Sequence, residues 1–170
     1  MEKPFTRKDV IAGRVQIIVK GRWGNADLYL LTHRAKKWVI KDFFPCPPLI
    51  RKTWGRFMVK REFMALQILK GIDGIPAEPF LLDAYAVCYR FQPGNTLRET
   101  PADEIRDDFF YEFENLVAEM HQRQMVHLDI RNRRNILVTD TGRPALLYFQ
   151  SSLNLANTPR MLYKIMKDID

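Results

Sequence analysis

The stretch Val126-His-Leu-Asp-Ile-Arg-Asn-Arg-Arg-Asn-Ile-Leu-Val138 decides how this chain is read. An acid, Asp129, follows a long apolar-striped segment, and Asn135 opens a short apolar run, Ile136–Val138. Upstream, Phe109, Phe110, Phe113, Leu116, Val117 and Met120 recur at helical spacing and predict the strongest helix of the chain, ending near Gln122. Thr100-Pro101 followed by Asp103 supplies its N-terminal signal: a cap, a proline at the first helical position and an early acid. Downstream, Ile136–Val138, the turn Thr139-Asp-Thr-Gly-Arg-Pro144 and Ala145–Phe149 predict a β-hairpin. Thr158-Pro159 then opens a last helix carrying Met161, Leu162, Ile165, Met166 and Ile169.

The first half reads mostly as strands. Val15–Val19, Leu28–Leu31 and Trp38–Lys41 are short β-rich runs, separated by Gly21-Arg-Trp-Gly-Asn25 and by the charged His33–Lys37. Pro45, Pro47 and Pro48 break regular structure. Val59, Phe63, Leu66 and Leu69 then give a helical pattern from about Phe57 to Lys70, ended by Gly71 and Gly74. Phe80–Leu82 and Ala84–Phe91 predict two further strands, and Pro93-Gly94 a turn.

The chain has 170 residues, 46% hydrophobic and 28% charged, which fits one globular domain and excludes disorder, collagen-like repeats and a coiled coil. No apolar run approaches the ~20 residues that span a bilayer. The N-terminus, MEKPFTRKDV, carries no signal-like apolar stretch, and Cys46 and Cys88 make neither a disulfide framework nor a metal pattern. The expectation is a soluble, reduced, cytoplasmic domain. The net charge of +7 is unevenly placed. Between His33 and Arg61 stand Arg34, Lys36, Lys37, Lys41, Arg51, Lys52, Arg56, Lys60 and Arg61 against Asp42 alone up to position 61, whereas Glu99 to Glu114 is dominated by acids. The basic side suits an anionic partner (nucleotide, nucleic acid or membrane surface) or is a solvated charged face. Trp38, Trp54 and Phe57 lie among these charges, as a nucleic-acid platform or as core material.

His127-Leu-Asp129 followed by Asn135 resembles the catalytic loop of the protein-kinase-like superfamily, in which the Asp accepts the substrate hydroxyl proton and the Asn holds magnesium. Trp38-Val-Ile-Lys41 resembles the strand whose Lys grips nucleotide phosphates, and Glu62 stands where the resemblance implies a partner for Lys41. Read alone, a lysine ending an apolar strand is often a snorkelling surface residue, and a carboxylate on a core-facing stripe needs a partner unless it sits at the wet edge. Arg90-Phe-Gln-Pro-Gly94 resembles the hinge that meets adenine, placing Phe91 at the nucleotide, and Gly21 and Gly24 stand where a glycine loop would cover the phosphates. Phe149 fits the middle of the D-F-G motif. The resemblance covers roughly Val15 to Ser152 and looks closer to the compact bacterial RIO-like and lipopolysaccharide (Kdo) kinase-like branches than to regulatory eukaryotic kinases.

The departures are specific. Tyr148 occupies the place of the magnesium-binding Asp, and a phenol is a poor ligand for a hard cation. The loop from Asp129 to Asn135 is one residue longer than the family pattern, with Arg131 where many kinases carry a Lys that meets the transferred phosphate. Gly21-Arg-Trp-Gly24 is not G-x-G-x-x-G, and few residues follow Gln150. His127 reads as a brace for the loop, His33 and His121 have no ligand-like spacing, and Ser151 and Ser152 lack a nucleophile-elbow context.

The resemblance therefore implies an α+β bilobal protein-kinase-like fold. It has a small antiparallel N-lobe sheet plus one helix (about 1–91), a hinge at about 90–94 and an abbreviated helical C-lobe (about 95–170). It implies ATP and Mg as cofactors, with Lys41 on the phosphates, Glu62 orienting Lys41, Asp129 and Arg131 catalytic and Asn135 on the metal. The acceptor would be a protein Ser/Thr or a lipopolysaccharide core sugar, met in the cytoplasm or peripherally at the inner membrane face. The rival is a pseudokinase, a binding or regulatory module, favoured by Tyr148. A nucleic-acid binder leaves Asp129 and Asn135 without a role.

Overall fold

A computed structural model describes residues 3–13 and 15–156. The chain divides into two compact units, the first running to Met64 and including Ala77–Phe91, the second formed by Ala65–Pro76 and the chain from Gln92 onward. The helix expected from Thr158 lies outside the described residues.

The first unit is built on a five-stranded antiparallel sheet of β1 (Val15–Val19), β2 (Asp27–His33), β3 (Lys36–Asp42), β4 (Phe80–Asp83) and β5 (Ala86–Arg90), in the order β1-β2-β3-β5-β4. Alternation sends Trp38 and Ile40 to one face of β3 and Val39 and Lys41 to the other. The Trp38 face is covered by a segment the sequence reading left without structure. Phe5 stacks edge-on against Trp38 and Phe80 with centroids 5.6 and 5.1 Å away, and helix α1 (Arg7–Ala12) adds Val10 to the same cluster. Arg7 fastens α1 to the sheet through ion pairs to Asp42 and Asp83. Trp38 is only 1% exposed, so it is core and forms no part of a surface platform.

Helix formation starts earlier than the prolines suggested. Pro48 opens a short turn, α2 (Pro48–Ile50), continued by a π-helical segment Arg51–Gly55 and by α3 (Arg56–Ile68). Proline at the first helical position needs no amide partner and is pre-set in φ, so it starts this helix and does not break it. The π segment shows in the Arg56 amide, which reaches back to the Arg51 carbonyl.

In the second unit α4 (Phe109–Gln122) packs on β7 (Met125–Val126) and β9 (Pro144–Leu146). β6 (Gly94–Thr96), β8 (Ile136–Thr139) and β9 form one antiparallel sheet, and β7 pairs with β10 (Leu153–Asn154). The α4 boundary differs from the sequence expectation. The Thr100 hydroxyl donates to the Thr96 carbonyl at 3.0 Å and caps nothing downstream, so Ala102–Glu104 is only a 3₁₀ turn and α4 starts after Asp108. The hairpin also ends sooner, at Leu146, because Tyr148 turns into the left-handed region at φ 62°. Arg123, just past α4, donates to the carbonyls of Ile68 and Lys70 at 2.8 Å and closes the C-terminal end of α3. Among the described residues no helix is long and apolar enough to cross a membrane.

Candidate functional site

In the first unit, the β3 alternation that buries Trp38 and Ile40 on one side delivers Lys41 to the other. There its Nζ lies 2.7 Å from Glu62 Oε2 on α3, with side chains 6% and 1% exposed. The Glu62 apolar stripe thus carries a buried carboxylate with a buried partner, and the wet-edge alternative is excluded. Glu62 Oε1 is buried without a hydrogen-bond partner. Such a pair is costly to desolvate and is weak evidence for stability in itself.

The turn between β1 and β2 is organised by Asp27. Its carboxylate accepts from Lys20 Nζ at 2.6 Å, the Gly21 amide at 2.8 Å and the Tyr29 hydroxyl at 2.8 Å. Burial pushes this carboxyl up, but those three donors and the Lys20 charge outweigh it and hold Asp27 below the usual carboxylate range. The same burial and the Asp27 charge push the Tyr29 phenol well above its ordinary value. A side chain at Gly21 would sit 2.2 Å from the Asn25 carbonyl, so the close turn requires glycine. With its amide donated to Asp27, Gly21 keeps no N–H for a phosphate, and Gly24 (φ 84°) packs beside Ile50. At the expected hinge, the Phe91 amide donates to the Lys37 carbonyl at 3.1 Å, extending the sheet.

In the second unit the loop after β7 is held by a chain of hydrogen bonds. His127 is fully buried and its Nε2–H donates to the Leu147 carbonyl at 2.9 Å; the carbonyl can only accept, which fixes the tautomer. Phe149 lies edge-on against the His127 ring at 5.1 Å. The Leu147 amide donates to the Asn135 carbonyl at 2.8 Å, and Asn135 Nδ2 donates to the Asp129 carbonyl at 2.8 Å and to its Oδ2 at 2.7 Å. Leu128 and Tyr148, each just past an end of the His127–Leu147 bond, both adopt left-handed backbone at φ 63° and 62°. Non-glycine residues in this region cost about 1–3 kcal/mol each and concentrate at functional sites. The outcome is an exposed Asp129 carboxylate with one oxygen held by a buried amide, and Arg131 exposed two residues on. No sequence signal marks Leu128 as left-handed, since leucine is a poor choice there.

The side chains around Asn135 offer few ligands for magnesium. Magnesium takes octahedral oxygen ligands, with one or two carboxylates plus substrate phosphates. Asn135 commits its amide nitrogen to Asp129, which leaves its amide oxygen as the atom able to meet a cation, whereas Tyr148 brings no carboxylate and among the described residues no three His, Cys, Asp or Glu are grouped to hold a metal.

No protein-family model matches the sequence, and no curated protein matches it. A search of solved structures finds the Rio2 kinase of Chaetomium thermophilum, in a complex described as ADP/Mg²⁺-phosphoaspartate, with a TM-score of 0.63 at 14% identity. The likeness covers 95% of this chain and 56% of that one, so the chain spans little more than half of the kinase's length. The fold is therefore protein-kinase-like, as the catalytic-loop and Lys/Glu resemblance implied.

Proposed function

We propose that the chain is an ATP-dependent phosphotransferase with a reduced metal site, of the RIO-like or Kdo-kinase-like kind, acting on a hydroxyl of a protein or of a lipopolysaccharide core sugar. The observation that carries this reading is the buried 2.7 Å Lys41–Glu62 pair on a kinase-like fold. Lys41, oriented by Glu62, neutralises nucleotide phosphate charge. Asp129, oriented by Asn135, accepts the proton of the acceptor hydroxyl as its oxygen bonds to the γ-phosphorus. The bond from that phosphorus to the β–γ bridging oxygen breaks, and ADP leaves. Arg131 faces the transferred phosphoryl group. Phosphoryl transfer rests mostly on positioning and charge neutralisation, which these groups supply.

The test is transfer from γ-labelled ATP to serine/threonine peptides and to dephosphorylated core oligosaccharide. Asp129→Asn lowers the rate by about 10²–10⁴-fold, the usual contribution of a positioned base. An unchanged rate overturns the assignment. Tyr148 in place of the metal carboxylate supports a second reading, a nucleotide-binding module without transfer. It expects nucleotide binding, no labelled product with any acceptor, and cellular function indifferent to Asp129→Ala.

A further inference from the structure

The first unit has an unusual charge arrangement. From position 10 to 72 the only carboxylates are Asp27, Asp42 and Glu62. All three are buried, at 4%, 4% and 1% exposure, and are paired with Lys20, Arg7 and Lys41. All exposed charge over this stretch is therefore positive. The same surface shows large apolar side chains to solvent. Trp23 is fully exposed at the β1–β2 tip, and Leu49, Trp54 and Phe57 are 76%, 51% and 54% exposed along the helix that starts at Pro48.

These features lie on one side of the unit. A Cβ at Gly24, next to Trp23, would be 3.0 Å from Ile50 Cγ2, so the β1–β2 tip rests on the helix start that presents Leu49. The π segment then matters. Leu49 stands in the turn just before it, Trp54 lies within it and Phe57 follows three residues later, with the Trp54 and Phe57 ring centroids 6.2 Å apart. Arg51 is turned away, donating to the Phe44 carbonyl and stacked over Phe44 at 4.6 Å. Arg22, Lys52, Arg56 and Lys60 are exposed and, among the described residues, carry no ion pair.

We infer that this surface docks on an anionic phospholipid bilayer. Trp23, Leu49, Trp54 and Phe57 insert at the headgroup level, and Arg22, Lys52, Arg56 and Lys60 face the lipid phosphates. Exposed Trp, Phe and Leu flanked by Lys and Arg are the composition of an interfacial helix. Leucine at 76% exposure on a helix favours lipid over nucleic acid, which is met by grooves and stacking aromatics. The inference is independent of the phosphotransfer reading.

The test is flotation of the full chain with vesicles of phosphatidylcholine alone and of phosphatidylcholine with phosphatidylglycerol. The protein floats with the anionic vesicles only, with a blue shift of tryptophan emission. Each of Lys52→Glu and Lys60→Glu weakens binding by at least about fivefold, from the roughly 1 kcal/mol each cation contributes near such a surface. Trp54→Glu and Leu49→Glu abolish flotation while circular dichroism stays unchanged; should either misfold, Trp54→Ser and Leu49→Ser replace them. No flotation, flotation indifferent to Trp54 and Leu49, or binding of single-stranded oligonucleotides that depends on the same four apolar residues would each overturn the inference.

Discussion

The two units hold their candidate residues by opposite means. In the first, Lys41 and Glu62 are locked by burial between a sheet face and a helix. In the second, Asp129 is exposed on a loop, and its placement depends on a short chain of hydrogen bonds through His127, Leu147 and Asn135. A buried pair fails by unfolding; a hydrogen-bonded loop fails by losing geometry. Substitutions in the first unit should therefore cost stability and function together, and those in the second should separate them.

The largest effect belongs to Lys41→Met, which leaves Glu62 buried without its counter-ion. Loss of one partner of a buried pair costs about 3–5 kcal/mol, read as a lowered urea midpoint. A midpoint unchanged within error would remove the contrast between the units. Asn135→Ala comes next. It deletes both bonds to Asp129 and costs about 1–3 kcal/mol, while activity falls by more than that stability loss explains at temperatures where the protein stays folded.

Much of this contrast was legible in the sequence. The strand β3 and the stripe of α3 have strong periodicity, which located the elements that carry Lys41 and Glu62, the resemblance supplied their pairing, and the turn residues gave the hairpin after Asn135. The rest depended on contacts distant in sequence. Phe5 and Arg7 gain their roles from Trp38, Phe80, Asp42 and Asp83, far along the chain. Thr100 looked like a cap because local rules could not show its hydroxyl turned back to Thr96. The left-handed Leu128 and Tyr148 oppose local preference, and tertiary bonding imposes them.

Tyr148→Asp sharpens the comparison on the side of the second unit. Asp tolerates left-handed backbone better than Tyr and restores a carboxylate beside Asn135. Magnesium should then strengthen ATP binding by tenfold or more (about 1.4 kcal/mol) over its effect on the unsubstituted protein; no gain would mean that the loop cannot serve a metal even with the ligand present.

The smallest effect is a pH dependence in the first unit. Asp27 titrates below its unfolded value of about 3.9. Its stabilisation is therefore complete above that value and is lost as the pH falls through the folded one. Urea midpoints should drop in the native protein as the pH falls below about 4 and drop less in Asp27→Asn. Cys88 adds a probe of integrity in the same sheet, since burial raises its thiol well above the ordinary range and keeps it unreactive until the unit opens.

The central claim is that the Lys41–Glu62 pair serves a nucleotide on a fold whose metal site is reduced. Calorimetric titration of ATP, with magnesium and again with EDTA, tests it most directly. The account predicts binding in both conditions, differing by less than about tenfold (1.4 kcal/mol), and no binding to folded Lys41→Met. Absence of ATP binding in both conditions, or binding unchanged by Lys41→Met, would contradict it.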